Sequence, residues 1–159
     1  MHSKIRTVQE LLPLIQILRA IGKKIVFTNG CFDIIHTGHT RYLRKAKSLG
    51  DILIVAVNSD ASVRSIKGVN RPINSEADRM ETLSALESVD FVVLFQELDP
   101  ERVISEIQPD VLVKGGDWPI DKIVGRDIVE ARGGKVISVG YIEGASTTEI
   151  IEKILKKHA

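Results

Sequence analysis

Apolar positions along this chain alternate between two patterns. Residues 7–21 place Val8, Leu11, Leu12, Ile15, Leu18 and Ile21 at helical spacing. Thr7 and Glu10 stand three apart as in a capping box, and Gly22 follows as a stop. Pro13 lies past the first turn, where its missing N–H predicts a kink or a delayed start. From there the chain switches between short continuous apolar runs and helical ones. Residues 24–28, 51–58, 91–95, 110–114 and 135–139 read as strands. The run Ile52-Leu53-Ile54-Val55-Ala56-Val57 has no polar residue, as expected of a strand covered on both faces. Helices are expected from 37 or 38 to 49, from 59–60 to about 66, from 75 to about 88, from 99–100 to 107, from 124 to 131 and from 147 to 157. Their ends carry Ser59, Ser75 and Ser146 as caps, Pro100 at a first helical position, Gly50 and Gly133-Gly134 as stops, and lysines in the last turn. Residues 67–74, with Gly68 and Pro72, read as a loop.

Strands that alternate with helices and are apolar throughout predict an α/β fold: a parallel five-stranded sheet with helices on both faces. The 159 residues suit one domain, with a helical extension at 1–22 before an α/β core at 23–159. Ligands in such sheets bind beyond the carboxyl ends of the strands, where the strand order reverses. That rule groups the loops 28–39, 115–118 and 141–148, and polar residues also gather at 67–79.

Composition narrows the partners. With 43% apolar and 27% charged residues, the chain is an ordinary globular one with enough material for a core. Its formal net charge of +1 gives no global attraction to nucleic acid or a membrane surface. A single cysteine allows no internal disulfide and agrees with a reducing cytoplasm. No apolar run reaches membrane-spanning length, and the N-terminus lacks a signal-peptide core. The expectation is a cytoplasmic protein with small-molecule substrates, without a nucleic-acid or membrane partner.

The chemistry concentrates in Thr28-Asn29-Gly30-Cys31-Phe32-Asp33-Ile34-Ile35-His36-Thr37-Gly38-His39, a strand-to-helix turn. Glycine permits close backbone approach to a ligand. A helix N-terminus supplies free N–H groups and the positive end of a dipole, which suit phosphate. Two imidazoles there can hydrogen-bond the same anion. The competing view makes the histidines mere caps; a pair with Gly between them, at a helix start after a buried strand, favours the anion. Zinc would need more ligands than His36, His39, Cys31 and Asp33 at standard spacing, and the other histidines are His2 and His158. A reactive Cys31 would have no base but these histidines, so a small buried side chain fits better. Neither the Gly-x-Gly-x-x-Gly dinucleotide fingerprint nor the P-loop is present.

Gly30-Cys31-Phe32-Asp33 followed by His36-Thr37-Gly38-His39 resembles the nucleotidyltransferase superfamily of His-x-Gly-His type. Glycerol-3-phosphate cytidylyltransferases, pantetheine-phosphate adenylyltransferases and class I aminoacyl-tRNA synthetases belong to it. Val57-Asn58-Ser59-Asp60, Lys67-Gly68, Arg71-Pro72-Ile73-Asn74, Arg79, Val113-Lys114-Gly115-Gly116-Asp117 and Glu143-Gly144-Ala145-Ser146-Thr147-Thr148 narrow the resemblance to heptose-1-phosphate adenylyltransferases. Those enzymes make ADP-heptose for lipopolysaccharide cores, often fused behind a sugar kinase; here the domain would stand alone. The resemblance runs from about residue 23 to 155 and implies a Rossmann-like fold. Related cytidylyltransferases carry Arg-Thr where this chain has Tyr141-Ile142, which argues against the cytidylyl branch.

The resemblance implies that AMP moves from ATP to a sugar 1-phosphate, most closely D-glycero-β-D-manno-heptose 1-phosphate, with pyrophosphate released. It implies His36, His39, Lys67 and Thr147 as catalytic residues. Asn29, Gly30, Cys31, Phe32, Asp33, Gly38, Arg79, Gly115, Asp117, Ser146 and Thr148 would hold the nucleotide, and Asn58, Asp60 and Arg71 the sugar phosphate. Magnesium would be bound mainly through ATP, without a protein metal motif, and the chain would form a homodimer. Taken alone, Lys67 reads as a solvated loop lysine, Arg79 as a surface residue on a helix, and Ser146-Thr147-Thr148 as a cap. Trp118 either flanks the pocket or closes a gap. The rival activities are a cytidylyltransferase acting on glycerol 3-phosphate and a non-catalytic module that binds ATP; modification of nucleic acid finds no support in the charge.

Overall fold

The computed structural model describes residues 3–140 and 146–158. Five strands form one sheet: β1 (Ile25–Gly30), β2 (Ile52–Asn58), β3 (Phe91–Phe95), β4 (Val111–Gly115) and β5 (Lys135–Val139). The order is β3-β2-β1-β4-β5 and all pairings are parallel. The chain steps outward from β1 to β3, then returns to lay β4 against the other side of β1. The order therefore reverses between β1 and β4, and a ligand crevice belongs above their carboxyl ends.

Helices fill the crossovers. α1 (Val8–Ala20) precedes β1, α2 (Thr37–Lys47) joins β1 to β2, and α3 (Asp60–Lys67) and α4 (Glu76–Ser84) join β2 to β3. α5 (Glu101–Ile107) joins β3 to β4, α6 (Arg126–Glu130) joins β4 to β5, and α7 (Thr147–His158) ends the chain. Alternate residues of each strand enter opposite layers. Ile25, Phe27, Ile54, Ala56 and Leu112 pack with Val8, Leu11 and Ile15 of α1 and with Val103, Ile104 and Ile107 of α5. Val26, Val55, Val57 and Val113 pack with Leu43 and Ala46 of α2 and Leu83 of α4. Two buried faces are why the strands contain so few polar residues. α1 therefore lies within the core rather than beside it.

Several boundaries differ from the sequence expectations, each for a local reason. α1 runs unbroken through the exposed Pro13, capped by the reciprocal Thr7–Glu10 box and anchored by buried Leu11 and Ile15. β1 continues to Gly30 because Asn29 and Gly30 pair with Ala56 and Val57. α4 stops at Ser84, short of 88, and α6 has five residues after a separate 3₁₀ turn at Ile120–Lys122. Gly125 stands before α6 at φ +87°, and a Cβ there would meet Ile104 Cδ1 at 2.6 Å. Pro100 takes the cap position of α5 rather than its first turn, while Asp99 accepts the Glu101 N–H at 3.0 Å. Ser59 and Ser75 cap as expected. Ahead of α1, Ile5 makes a parallel bridge to Val92 and covers the β3 edge. Among the described residues, no helix is long and apolar enough to cross a membrane.

Candidate active site

Above the β1–β4 junction lies a cavity of about 680 Å³. Asn29, Gly30, Cys31, Phe32, Asp33, Gly38 and both histidines of the turn line it, so most of the 28–39 motif converges there. Asn58, Lys67, Arg71, Gly115, Ser146, Thr147 and Thr148 reach the same space from β2, the end of α3, the following loop, β4 and α7. Arg79, Asp60 and Asp117 do not line it. The expected residues 141–145 fall outside the described residues.

The turn is shaped by two unusual backbones. Phe32 adopts φ +48°, a left-handed conformation uncommon for a bulky residue, and its ring is buried. A Cβ at Gly30 would stand 3.1 Å from that ring, so glycine is what lets Phe32 fold back over the end of β1. Asp33 is buried at the cavity wall. It accepts the Arg71 Nε–H at 2.6 Å and the N–H groups of Ile73 and Asn74 at 2.9 Å. Burial pushes its carboxyl up, but the Asn74 and Ile73 N–H groups and Arg71 outweigh that and hold it below the usual carboxylate value. Asp33 therefore fastens the 71–74 loop. Asp33 also lines the cavity, so its expected place at the nucleotide stays a proposal beside this structural role.

His36 does act as a cap, for its Nδ1 accepts the Gly38 N–H at 3.1 Å. The capping and anion-binding views are compatible, since an accepting Nδ1 leaves the proton of the neutral ring on Nε2. His39 stacks on His36 with ring centroids 3.9 Å apart and lies 5.3 Å from the Phe32 ring. The buried Nδ1 of His39 has no hydrogen-bond partner among the described residues. Burial, then the neighbouring His36, lowers the His39 pKa from 6.5 to about 4, and burial lowers His36 as well. Both rings are thus neutral at pH 7, and an arriving polyanion would favour their protonation.

This has a consequence for stability. Between pH 6.5 and about 4 the unfolded chain protonates His39 and the folded one does not. Stability therefore falls as pH drops through that window. A melting series from pH 7 to 4.5 should show that decline, and His39→Asn should flatten it. An identical slope in the variant would mean that other groups carry the dependence.

Arg79 corrects an expectation. It is 1% exposed, the largest fully buried side chain of the described residues. Its guanidinium donates to the carbonyls of Asn74, Cys31 and Asn58 at 3.2, 2.5 and 2.8 Å and to the Asp60 carboxylate at 2.8 Å. It ties the ends of β1 and β2 to the 71–75 loop from beneath the cavity and has no face for nucleotide. Asp60 accepts from Arg79 through Oδ1 and does not line the cavity. Asp117 lies beyond the lining, with its Oδ1 3.3 Å from where a Gly140 Cβ would stand. Lys67 is the last residue of α3 rather than part of the loop; its exposed side chain still borders the cavity. Asn58 donates to Ser62 Oγ at 2.9 Å. Burial raises the Cys31 thiol pKa despite the cations around it, which leaves a poor nucleophile.

α7 brings a second helix N-terminus to the cavity. Ser146 Oγ accepts the Glu149 N–H at 3.1 Å, and Thr147 Oγ1 donates to the Ile34 carbonyl at 3.4 Å. Two helix N-termini and two imidazoles around one space form a polyanion cradle. Sequence reasoning missed Tyr42 and Lys114 as lining residues. Tyr42, one turn into α2, donates to the Val113 carbonyl at 3.1 Å, hydrogen-bonds Thr28 and braces β1 to β4. Lys114 was legible in principle, as a lone charge at the end of an apolar strand.

Comparison with known proteins places the chain in a family. The family model described as cytidylyltransferase-like matches residues 27–153. The chain is 52% identical over 156 residues to a protein named bifunctional protein HldE from Citrifermentans bemidjiense, covering 98% of this chain and 32% of that one. It is 56% identical over 151 residues to a protein of the same name from Ectopseudomonas mendocina, covering 95% and 32%. The chain thus spans about a third of the length of the curated relatives it matches. Among solved structures, the lipopolysaccharide core biosynthesis protein from Thermoplasma volcanium is similar with TM-score 0.66 and 31% identity, over 77% of this chain and all of that one. Pantoate-beta-alanine ligase from Francisella tularensis, at 15% identity, TM-score 0.60 and coverage of 96% and 76%, shares the fold.

Proposed function

The chain belongs to the cytidylyltransferase-like family of nucleotidyltransferases, and we propose that it transfers AMP from ATP to D-glycero-β-D-manno-heptose 1-phosphate, giving ADP-heptose and pyrophosphate. The observation that carries the reaction type is the convergence of His36, His39 and the N-termini of α2 and α7 on one cavity. The acceptor rests on the motif resemblance to heptose-1-phosphate adenylyltransferases and on the similarity to the Thermoplasma volcanium protein.

A phosphate oxygen of the sugar attacks the α-phosphorus of ATP. One P–O bond forms, the bond to the bridging oxygen between the α- and β-phosphorus breaks, and pyrophosphate leaves with the electron pair. The attacking oxygen is already anionic, so neither a strong base nor a covalent enzyme intermediate is required. The chain contributes position and charge stabilisation. Gly38 lets a phosphate approach the N–H groups of α2. The histidines donate to the triphosphate, with protonation favoured once it binds. The N–H groups at the start of α7, with the Thr148 hydroxyl, add donors, Thr147 gives its hydroxyl to Ile34 in the unliganded fold, and Lys67 covers the phosphates from the rim. Asp33 and Arg79 act as positioning residues beneath.

Magnesium accompanies the triphosphate in this reading, where it would offset phosphate charge. Its charge would be met by the phosphates and water, with the chain contributing donors to the phosphates rather than ligands to the ion. Cytoplasmic location and a homodimer belong to the same reading, and light scattering tests the dimer.

Pyrophosphate release tests the function, crossing ATP, CTP and GTP with heptose 1-phosphate and glycerol 3-phosphate. Release with ATP and heptose 1-phosphate alone is expected. CTP with glycerol phosphate would move the protein to the cytidylyl branch, and ATP binding without release would favour a binding module. Lys67→Ala should lower kcat/KM by about 10- to 100-fold, as for a lost charge-assisted contact to a phosphate. Being exposed, it should change stability by no more than about 0.5 kcal/mol. Unchanged kinetics would return Lys67 to a solvated surface role.

A further inference from the structure

Lys114, the penultimate residue of β4, is in the cavity lining, and the mechanism above leaves it unused. Its surroundings are unusual for a lysine. It is half-buried, and no carboxylate lies within ion-pair distance of it among the described residues. Its Nζ stands 5.7 Å from the centroid of the Trp118 ring, itself 48% exposed. Burial lowers its pKa; the nearby Cys31 works against that, and Lys67 adds a smaller lowering. A partly desolvated ammonium with a second cation nearby, and with the Cys31 thiol and an aromatic ring but no carboxylate beside it among the described residues, is destabilising unless an anion joins it.

Strand alternation says which anion. A Cβ on Gly115 would meet the Tyr42 ring of α2 at 3.4 Å, so position 115 faces the α2 side. Lys114, one residue earlier, leaves the strand on the other face, the one where Leu112 packs with Ile104 of α5. The imidazoles and the α2 N-terminus therefore lie on one side of the cavity, and the Lys114 stem rises from the other. In-line transfer needs the attacking and leaving oxygens on opposite sides of the α-phosphorus. With pyrophosphate leaving toward the histidines, the acceptor phosphate approaches from across. Arg71 also borders the cavity, but its charge is matched by Asp33.

We infer that Lys114 binds the phosphate of the acceptor and holds its attacking oxygen opposite the pyrophosphate cradle. This rests on the nucleotidyl-transfer reading above. The test compares wild type with Lys114→Met, which keeps the stem without the charge, and Lys114→Arg, which keeps the charge. For Lys114→Met the KM of heptose 1-phosphate should rise about tenfold or more, as expected for one lost charge-assisted bond. Affinity for the non-hydrolysable analogue AMPCPP, by calorimetry, should stay within about twofold, and Lys114→Arg should recover part of the loss. Weaker AMPCPP binding with an unchanged acceptor KM would overturn the inference by assigning Lys114 to the nucleotide; no change in either would overturn it outright. A wild-type protein without turnover would sink the proposed acceptor separately. Inorganic phosphate then serves as the probe on the AMPCPP complex. Phosphate bound about tenfold more weakly by Lys114→Met supports the site, and equal binding overturns it.

Discussion

His39→Ala is expected to cut kcat by about 10²- to 10³-fold while the protein melts as wild type does. The loss is the size found when one preorganised donor to a developing charge is removed. The ring sits with His36 at the α2 N-terminus, on the proposed path of the triphosphate. Stability should survive because the imidazole is poorly satisfied in the fold: its buried Nδ1 has no partner among the described residues. Removing it deletes a desolvated polar group along with the ring contact to Phe32, and the two effects oppose each other. Steady-state pyrophosphate release with a parallel thermal melt measures both. Full activity at an unchanged melting temperature would remove His39 from the chemistry. A collapsed fold would assign it to packing.

Arg79→Met should do the reverse, destabilising the fold by about 2–4 kcal/mol: carbonyls left without their donor cost about 1–3 kcal/mol each when buried, while the Asp60 carboxylate, 27% exposed, regains water. The substitution leaves the Asp60 carboxylate without its cation and the carbonyls of Asn74, Cys31 and Asn58 without their donor. Against a typical stability of about 5–15 kcal/mol that is a large fraction. Arg79→Lys should rescue little, since one ammonium cannot span the positions of a planar fork. Denaturant melts give the number. A stable Arg79→Met protein with weakened ATP binding would instead put the guanidinium in contact with nucleotide.

The contrast between these residues marks what could be read in advance. His36-Thr37-Gly38-His39 announces itself because the chemistry is local: a buried strand, a turn and a helix start, all within a dozen residues. Lys67 and Thr147 reach the same cavity from distant parts of the chain, and only the resemblance suggested them. Arg79 was expected at the nucleotide. Its position on α4 carries no local sign that Cys31, Asn58 and Asp60 close around it, and the same is true of Asp33 and the 71–74 loop. Lys114 is not marked out by its motif, because a residue near a strand's end can point to either face until its neighbours are known.

The sequence by itself determined the five-strand α/β layout, the parallel pairing and the His-x-Gly-His turn. Those follow from apolar period, turn residues and caps, interactions within a few residues of one another. The tertiary structure alone decided the left-handed Phe32 over Gly30, the neutral stacked histidines, the burial of Arg79 and Asp33 under the site, and the side from which Lys114 enters. Each of these depends on what is packed around a group, which sets its solvation and its partners. A one-dimensional pattern does not carry that information.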